Sequence, residues 1–380
     1  MVGTMRPMTW LIAPGILLSL NAGGADLHVH HKAGHDGNSG AMDAPFATIQ
    51  KAIQVSQEGD TVHLHPKGAV YRQSVTLRGK TGITIEGNGV TLDGSDPLPT
   101  RGWEEIGAAL VRLRLPQTTW NRHLLTFNGR VERMGRTQSS NSPKFPDPGE
   151  LKEGQFCFVN GSDESKTGWL YLRGGVKNLE WSVRPNGLAT AGTNSMIVVR
   201  NLNARRFLND GFNIHGRSVG LQFENIRGYD CFDEGFSAHD TCEAEIQGGK
   251  FWGNENGIAD VNDCITHYRD CEFRDNVNVD ALLIGKRHSL TDCQIINTTR
   301  ATALSAGPRG EGQTGFSLML TRLNVTGILP NHPARFRVNG GDLIMKNCRL
   351  ENAAFNVAGS QASFTNVQVN GDTVSGDQGR

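Results

Sequence analysis

Short runs in which apolar and polar residues alternate recur along the chain, and the runs share a frame. VVRNLNA, QFENIRG, IQGGKFW, YRDCEFR, LTDCQII, LTRLNVT, MKNCRLE and FTNVQVN can be written under one another. In each, a polar residue precedes an apolar or cysteine position, and a polar and usually an apolar residue follow. The second column holds Leu202, Ile226, Gly249, Cys271, Cys293, Leu323, Cys348 and Val367, at spacings of 24, 23, 22, 22, 30, 25 and 19. The column before it holds Asn201, Asn225, Gly248, Asp270, Asp292, Arg322, Asn347 and Asn366. A period in the low twenties with strand-like alternation is a solenoid signature. Leucine-rich repeats share the length, but their Leu-x-x-Leu-x-Leu frame is absent. The fold that remains is all-β, a right-handed parallel β-helix whose coils stack about 4.8 Å apart. Cys271, Cys293 and Cys348 then point inward as small apolar fillers. Asn201, Asn225, Asn347 and Asn366 sit at a turn, where stacked amides satisfy bent backbone.

The pattern changes at both ends of the first third. Residues 1–25 carry one charge, Arg6, then an apolar stretch from Trp10 to Leu20 and the small residues Ala22, Gly23, Gly24 and Ala25. That layout predicts a signal peptide cleaved near Ala22 or Ala25 and a secreted or periplasmic protein. Residues 26–96 read as an N-terminal cap and the first coils. Phe46, Ile49 and Ile53 share one helical face, Thr48 or Asp43 serves as N-cap, and Gly59 ends the helix. Strands are predicted over 61–65, 74–77, 83–86 and 90–93. The repeat stops over 97–190. There Leu124–Phe127, Gln155–Val159 and Trp169–Leu172 alternate between Gly/Pro/Asn/Ser clusters, which predicts a small antiparallel β insert, sandwich-like. Residues 191–380 form the main coils.

Composition narrows the function classes. Lys+Arg and Asp+Glu are both 38 in 380 residues, so no net charge favours nucleic acid or an anionic membrane. With 47 glycines and only 14 prolines, and no Gly-X-Y period, the chain is turn-rich rather than collagenous. Seven cysteines leave at least one unpaired, and no Cys-x-x-Cys occurs. Cys231 with Cys242 is a candidate disulfide that sequence cannot establish.

Two segments carry a resemblance to known proteins. DAPFATIQKAIQVSQEGDTVHLHPKGAVYRQSVTLRGKTGITIEGNGVTLDG resembles the opening of many exported pectate-lyase-like β-helix proteins. The interruption after it resembles inserts within some β-helix glycoside hydrolases, including β-xylosidase-like enzymes. The resemblance implies a carbohydrate-active enzyme with a polysaccharide or oligosaccharide substrate.

Polar residues concentrate over four successive coils: NDGFNIHG (209–216), DEGFSAHD (233–240), ENGIADVND (255–263) and VDALLIGK (279–286). Aligning Gly211, Gly235, Gly257 and Ala281 brings Asp210 and Glu234 one coil apart. Stacked carboxylates repel, so one should hold a proton. A protonated acid beside an ionised carboxylate is what glycosidic cleavage uses. In β-xylosidase-like β-helix enzymes an Asp and a Glu act from adjacent coils. By that resemblance Asp210 is the nucleophile and Glu234 the acid/base. Asp pairs or triads in other β-helix glycosidases keep Asp233 a third catalytic candidate. His215, His239, Asp260, Asp263, Asp280, Lys286, Arg287 and Trp252 are candidate substrate contacts. Acid-Gly pairs also mark turns, where the carboxylate simply binds backbone. Two further readings stay open. One is a polysaccharide lyase with Lys286 or Arg287 as base, for which Ca²⁺ would be the cofactor. The other is a non-catalytic carbohydrate-binding or surface solenoid. The hydrolase reading needs no cofactor, and the expected form is a monomer. His28, His30, His31 and His35 cluster without an intact metal-ligand pattern, and Asp36 and Asn38 read as turn residues rather than a calcium loop.

Overall fold

A computed structural model describes residues 23–135, 146–161, 166–309 and 315–378. The expected signal peptide falls largely outside these residues. Near the start of the described residues Ala25 donates its N–H to Asp60 and accepts from Thr61. Strand Asp26–His30 follows at once.

The main body is a parallel β-helix with three walls. One wall stacks Asp26–His30, Thr61–His65, Thr84–Glu86, Val198–Arg200, Leu221–Glu224, Glu243–Gln247 and Ile265–Arg269. A second stacks Thr91–Asp93, Asn203–Arg205, Arg227–Tyr229, Lys250–Trp252 and Glu272–Arg274. The third stacks Val75–Arg78, Leu188–Ala191, Phe212–Ile214, Glu234–Ala238, Asn256–Val261, Val279–Ile284 and Thr302–Ala306. Alternation sends every second side chain inward. Leu188, Phe212, Phe236, Ile258, Ala281, Leu304 and Phe336 form one continuous inward column, all buried.

The turn column read from the sequence is visible residue by residue. Asn201, Asn225, Gly248, Asp270, Asp292, Arg322, Asn347 and Asn366 all adopt positive φ, the left-handed bend that Asn, Asp and Gly accept most readily. Asn225 donates to the Asn201 side chain and Asn366 to that of Asn347, each at 2.8 Å. The adjoining cysteines are buried fillers, and all seven cysteines are free. Cys231 and Cys242 therefore form no bridge. The cap helix, Ile49–Val55, starts at Thr48, whose side chain accepts from the Lys51 N–H. It ends at Ser56, one turn before Gly59, because Ser56 N–H already closes on Ala52.

The repeat is interrupted by two four-stranded antiparallel sheets. One holds Ser95–Pro97, Arg122–Phe127, Arg130–Gly135 and Leu179–Ser182. The other holds Glu104–Gly107, Leu110–Pro116, Phe156–Asn160 and Thr167–Arg173. Their facing sides share a core of Leu125, Phe156, Phe158, Leu170, Leu172, Leu179 and Trp181. Buried Arg206 pins this insert to the coils by bonding Asp93 on the solenoid and Glu180 on the insert. Among the described residues no helix is long and apolar enough to cross a membrane.

Candidate active site

Asp210 and Glu234 occupy the same position on neighbouring coils, two residues before the paired Phe212 and Phe236. The glycine after each is forced by close stacking. A Cβ on Gly211 would meet the Gly235 carbonyl at 2.8 Å, and one on Gly235 would meet the Gly257 carbonyl at 2.8 Å. The Asp-Gly and Glu-Gly pairs thus let the coils approach while the preceding carboxylates turn toward the groove. Asp210, Asp233 and Glu234 each bring a carboxylate oxygen within 4.8 Å of the others. All three line a groove of about 600 Å³ on the third wall.

The two stacked acids are solvated differently. Asp210 accepts from the Glu234 N–H at 3.1 Å, the Asn213 amide at 2.5 Å and the Ser237 hydroxyl at 2.7 Å. Glu234 accepts from the Asn256 amide at 2.7 Å. Burial, then the neighbouring Asp233 charge, raises the proton affinity of both. Their carboxyls also hydrogen-bond each other, which favours the charged form of Asp210 and the protonated form of Glu234. Both acids are raised, and Glu234 is held well above the usual carboxylate range.

Arg122 reaches this site from the insert. Its guanidinium lies 2.7 Å from Asp233 and donates to Asn209 at 2.5 Å. Arg133, on the next strand, donates to the carbonyls of Phe232, Cys231 and Gly253 and clamps the insert onto the coil that carries Asp233 and Glu234. Trp120, 52% exposed and in the left-handed region at φ 57°, lines the groove mouth beside Arg122. None of these was singled out from the sequence. The one available signal was a tryptophan and an arginine two apart in the polar turn TTWNRH, within the segment that breaks the repeat.

The remaining candidates divide. His215 and His239 both line the groove, their rings stacked at 4.0 Å. Burial, with His215 beside it, lowers His239 to about 4, so it is neutral in use. His215 leans on Asp240 at 3.3 Å. Asp260 points into the solenoid, in the inward column of Ile214, Ala238 and Leu283. There it accepts from Ala238 N–H, Thr266 and Tyr268, and burial pushes it up to about 7. Asp280 is sealed by the Asn276 and Asn297 amides. Its pairing differs from the sequence alignment: Asn256 faces Val279 and Ile258 faces Ala281, so Gly257, not Asn256, lies beside Asp280. Asp263, Lys286 and Arg287 are exposed on turns and strand ends outside the groove lining. Trp252 stands on the second wall, one face on Tyr229 at 4.4 Å and Arg274 over its ring at 5.2 Å. A sugar finds no free face there. Beyond the acids the groove floor turns apolar, with Ala259, Val261, Leu282 and Ile284 facing outward and Arg309 at the rim.

No family model matches the chain, and no curated protein matches it. Solved structures do share the fold. A protein described as a glycoside hydrolase superposes with a TM-score of 0.58 at 11% identity, over 92% of this chain and 97% of that one. XylC, solved in complex with xylose, superposes with a TM-score of 0.53 at 13% identity, over 90% of this chain and 70% of that one. At these identities the likeness shows the β-helix fold alone.

Proposed function

We propose that the chain is an exported glycoside hydrolase that cleaves a polysaccharide or its oligosaccharides in the groove of the third wall. The observation that carries the reading is the unequal pair: Asp210 accepts from three donors that favour its charged form, and Glu234 beside it is held well above the usual carboxylate range. In the reaction Glu234 donates its proton to the glycosidic oxygen as the C–O bond breaks. Asp210 attacks the anomeric carbon and forms a glycosyl ester. Glu234, now ionised, takes a proton from water, and that water releases the sugar and restores Asp210. The close approach of the two carboxyls suits this retaining course better than the wider gap, about 6.5–9.5 Å, that admits a water directly. Asp233 is neutralised by Arg122, so it tunes the pair rather than attacking. Trp120 offers an aromatic face to a sugar ring, and His215 and His239 edge the same groove. The apolar far half favours an apolar leaving group. Lys286 and Arg287, the bases a lyase would use, stand outside the groove, which supports hydrolysis over β-elimination.

The test is a panel of plant and algal glycans and aryl glycosides, read by reducing ends and by ultraviolet absorbance of unsaturated uronates. Reducing ends without absorbance are expected. Asp210→Asn and Glu234→Gln should each lose on the order of 10²–10⁴ in kcat. Full activity in either variant on a confirmed substrate removes the reading.

A further inference from the structure

Away from the groove, the first two coils carry matching His-x-His strands. His28 and His30 lie on Asp26–His30, and His63 and His65 on Thr61–His65. The strands pair in parallel with His28 opposite His63 and His30 opposite His65. The residues between them, Val29 and Leu64, are fully buried. Alternation therefore turns all four imidazoles to the same outer face. Only His28 and His30 belong to the histidine cluster evident in the sequence; the other pair joins them through coil stacking.

The imidazoles are not equivalent. His30 Nδ1 accepts from the backbone N–H groups of Lys32 and Ala33, and His35 Nδ1 from that of Gly37, so these two shape the turn. His28 Nδ1 instead lies 3.1 Å from His65 Nε2. Two nitrogens bound to one first-row ion at about 2.0–2.1 Å, at angles between square and tetrahedral, lie about 2.9–3.4 Å apart. The observed separation falls in that range. Beside them His63 Nε2 is 2.7 Å from Asp26 Oδ1, so that carboxylate holds the His63 ring.

We propose that this face binds one divalent first-row transition ion, Zn²⁺ or Cu²⁺, through His28 Nδ1 and His65 Nε2. Imidazole donors select such ions over Mg²⁺ or Ca²⁺. The ion staples the first coil to the second at the open end of the solenoid. Binding to the folded state alone raises the unfolding midpoint by mass action.

The full chain, free of any histidine tag, is titrated with ZnCl₂ by calorimetry and with CuSO₄ by electron paramagnetic resonance. The expected result is a single saturable equivalent of Zn²⁺, nitrogen hyperfine structure on the Cu²⁺ signal, and a higher thermal midpoint with Zn²⁺. His28→Gln and His65→Gln should each abolish the equivalent while circular dichroism stays that of the native β-helix. An Asp210→Asn/Glu234→Gln double variant, which removes the acid cluster as a competing cation site, should keep it. Absence of saturable binding overturns the proposal. So does binding that survives both histidine variants, or binding that vanishes only with the acids. If a histidine variant unfolds, the Cu²⁺ spectrum of the native chain decides, since oxygen-only coordination excludes the imidazole site.

Discussion

Replacing Arg122 tests how the insert and the solenoid build one site. Its guanidinium sits 2.7 Å from Asp233, with both side chains nearly sealed from solvent. Arg122→Met keeps the length and removes the charge. Asp233 then loses this ion pair, beside Asp210 and Glu234. Breaking one side of such a pair costs about 3–5 kcal/mol. That agrees with the about 4 kcal/mol that two charges 4 Å apart exchange at an effective dielectric of 20. The bond to Asn209 is lost as well. The chemistry should shift in a set direction. Asp233 already raises the proton affinity of both stacked acids, so with its field less offset, Asp210 and Glu234 should hold protons to higher pH. The acid limb of the pH–rate profile, set by ionisation of Asp210, should move to higher pH. Urea unfolding at neutral pH and a kcat/KM profile read the two effects. Adding Asp233→Asn to Arg122→Met should recover most of the lost stability, giving a large coupling in the double-mutant cycle. A loss under about 1 kcal/mol, or additive single and double variants, would refute the reasoning.

Asp260 is raised to about 7 inside the solenoid, so its contribution is fully present below about pH 4 and is lost as pH rises through about 7, by about 4 kcal/mol in all. Unfolding free energy should fall across that window, and Asp260→Asn should flatten the slope, leaving the smaller part due to Asp280, raised to about 6. Trp120→Ala should raise KM about fivefold, the loss of about 1 kcal/mol of ring contact, with kcat within about twofold; an unchanged KM on every substrate removes Trp120 from the sugar site. The seven buried free thiols should resist aromatic disulfide reagents until denaturant is added, and reductant should leave the unfolding midpoint where it was; a midpoint that falls with reductant would reveal a bridge.

The coil was legible because a β-helix writes its geometry into the sequence at a fixed period. The turn column, Asn, Asp or Gly at every position but Arg322, could be placed to the residue, since the left-handed bend favours that composition. Asp210 and Glu234 came with it, because identical DGF and EGF contexts fix the same register. Asp260 and Asp280 read as groove residues by proximity in sequence. Their side-chain direction depends on parity along a strand and on a one-residue difference in coil length, which spacing alone blurs. Trp252 failed as an open stacking face for another reason: its neighbours on adjoining coils, Tyr229 and Arg274, cover it. Arg122, Arg133 and Trp120 were invisible because they come from the insert. Its docking onto coils about a hundred residues away follows from tertiary packing that no local pattern records. The His63 and His65 partners of His28 were hidden likewise, because 30 residues that include the cap helix separate the paired strands.

The most direct test of the paired-acid site uses a 2-deoxy-2-fluoro glycoside with an activated leaving group, matched to whichever sugar the panel selects. Such a compound slows breakdown of a covalent glycosyl-enzyme more than its formation. Peptide mass spectrometry after incubation should find the fluorosugar esterified to Asp210, with none on Asp233, and β or α configuration retained in the slow product. An adduct on a different residue, or turnover with inverted configuration and no adduct at all, would contradict the assignment of Asp210 as nucleophile beside a protonated Glu234.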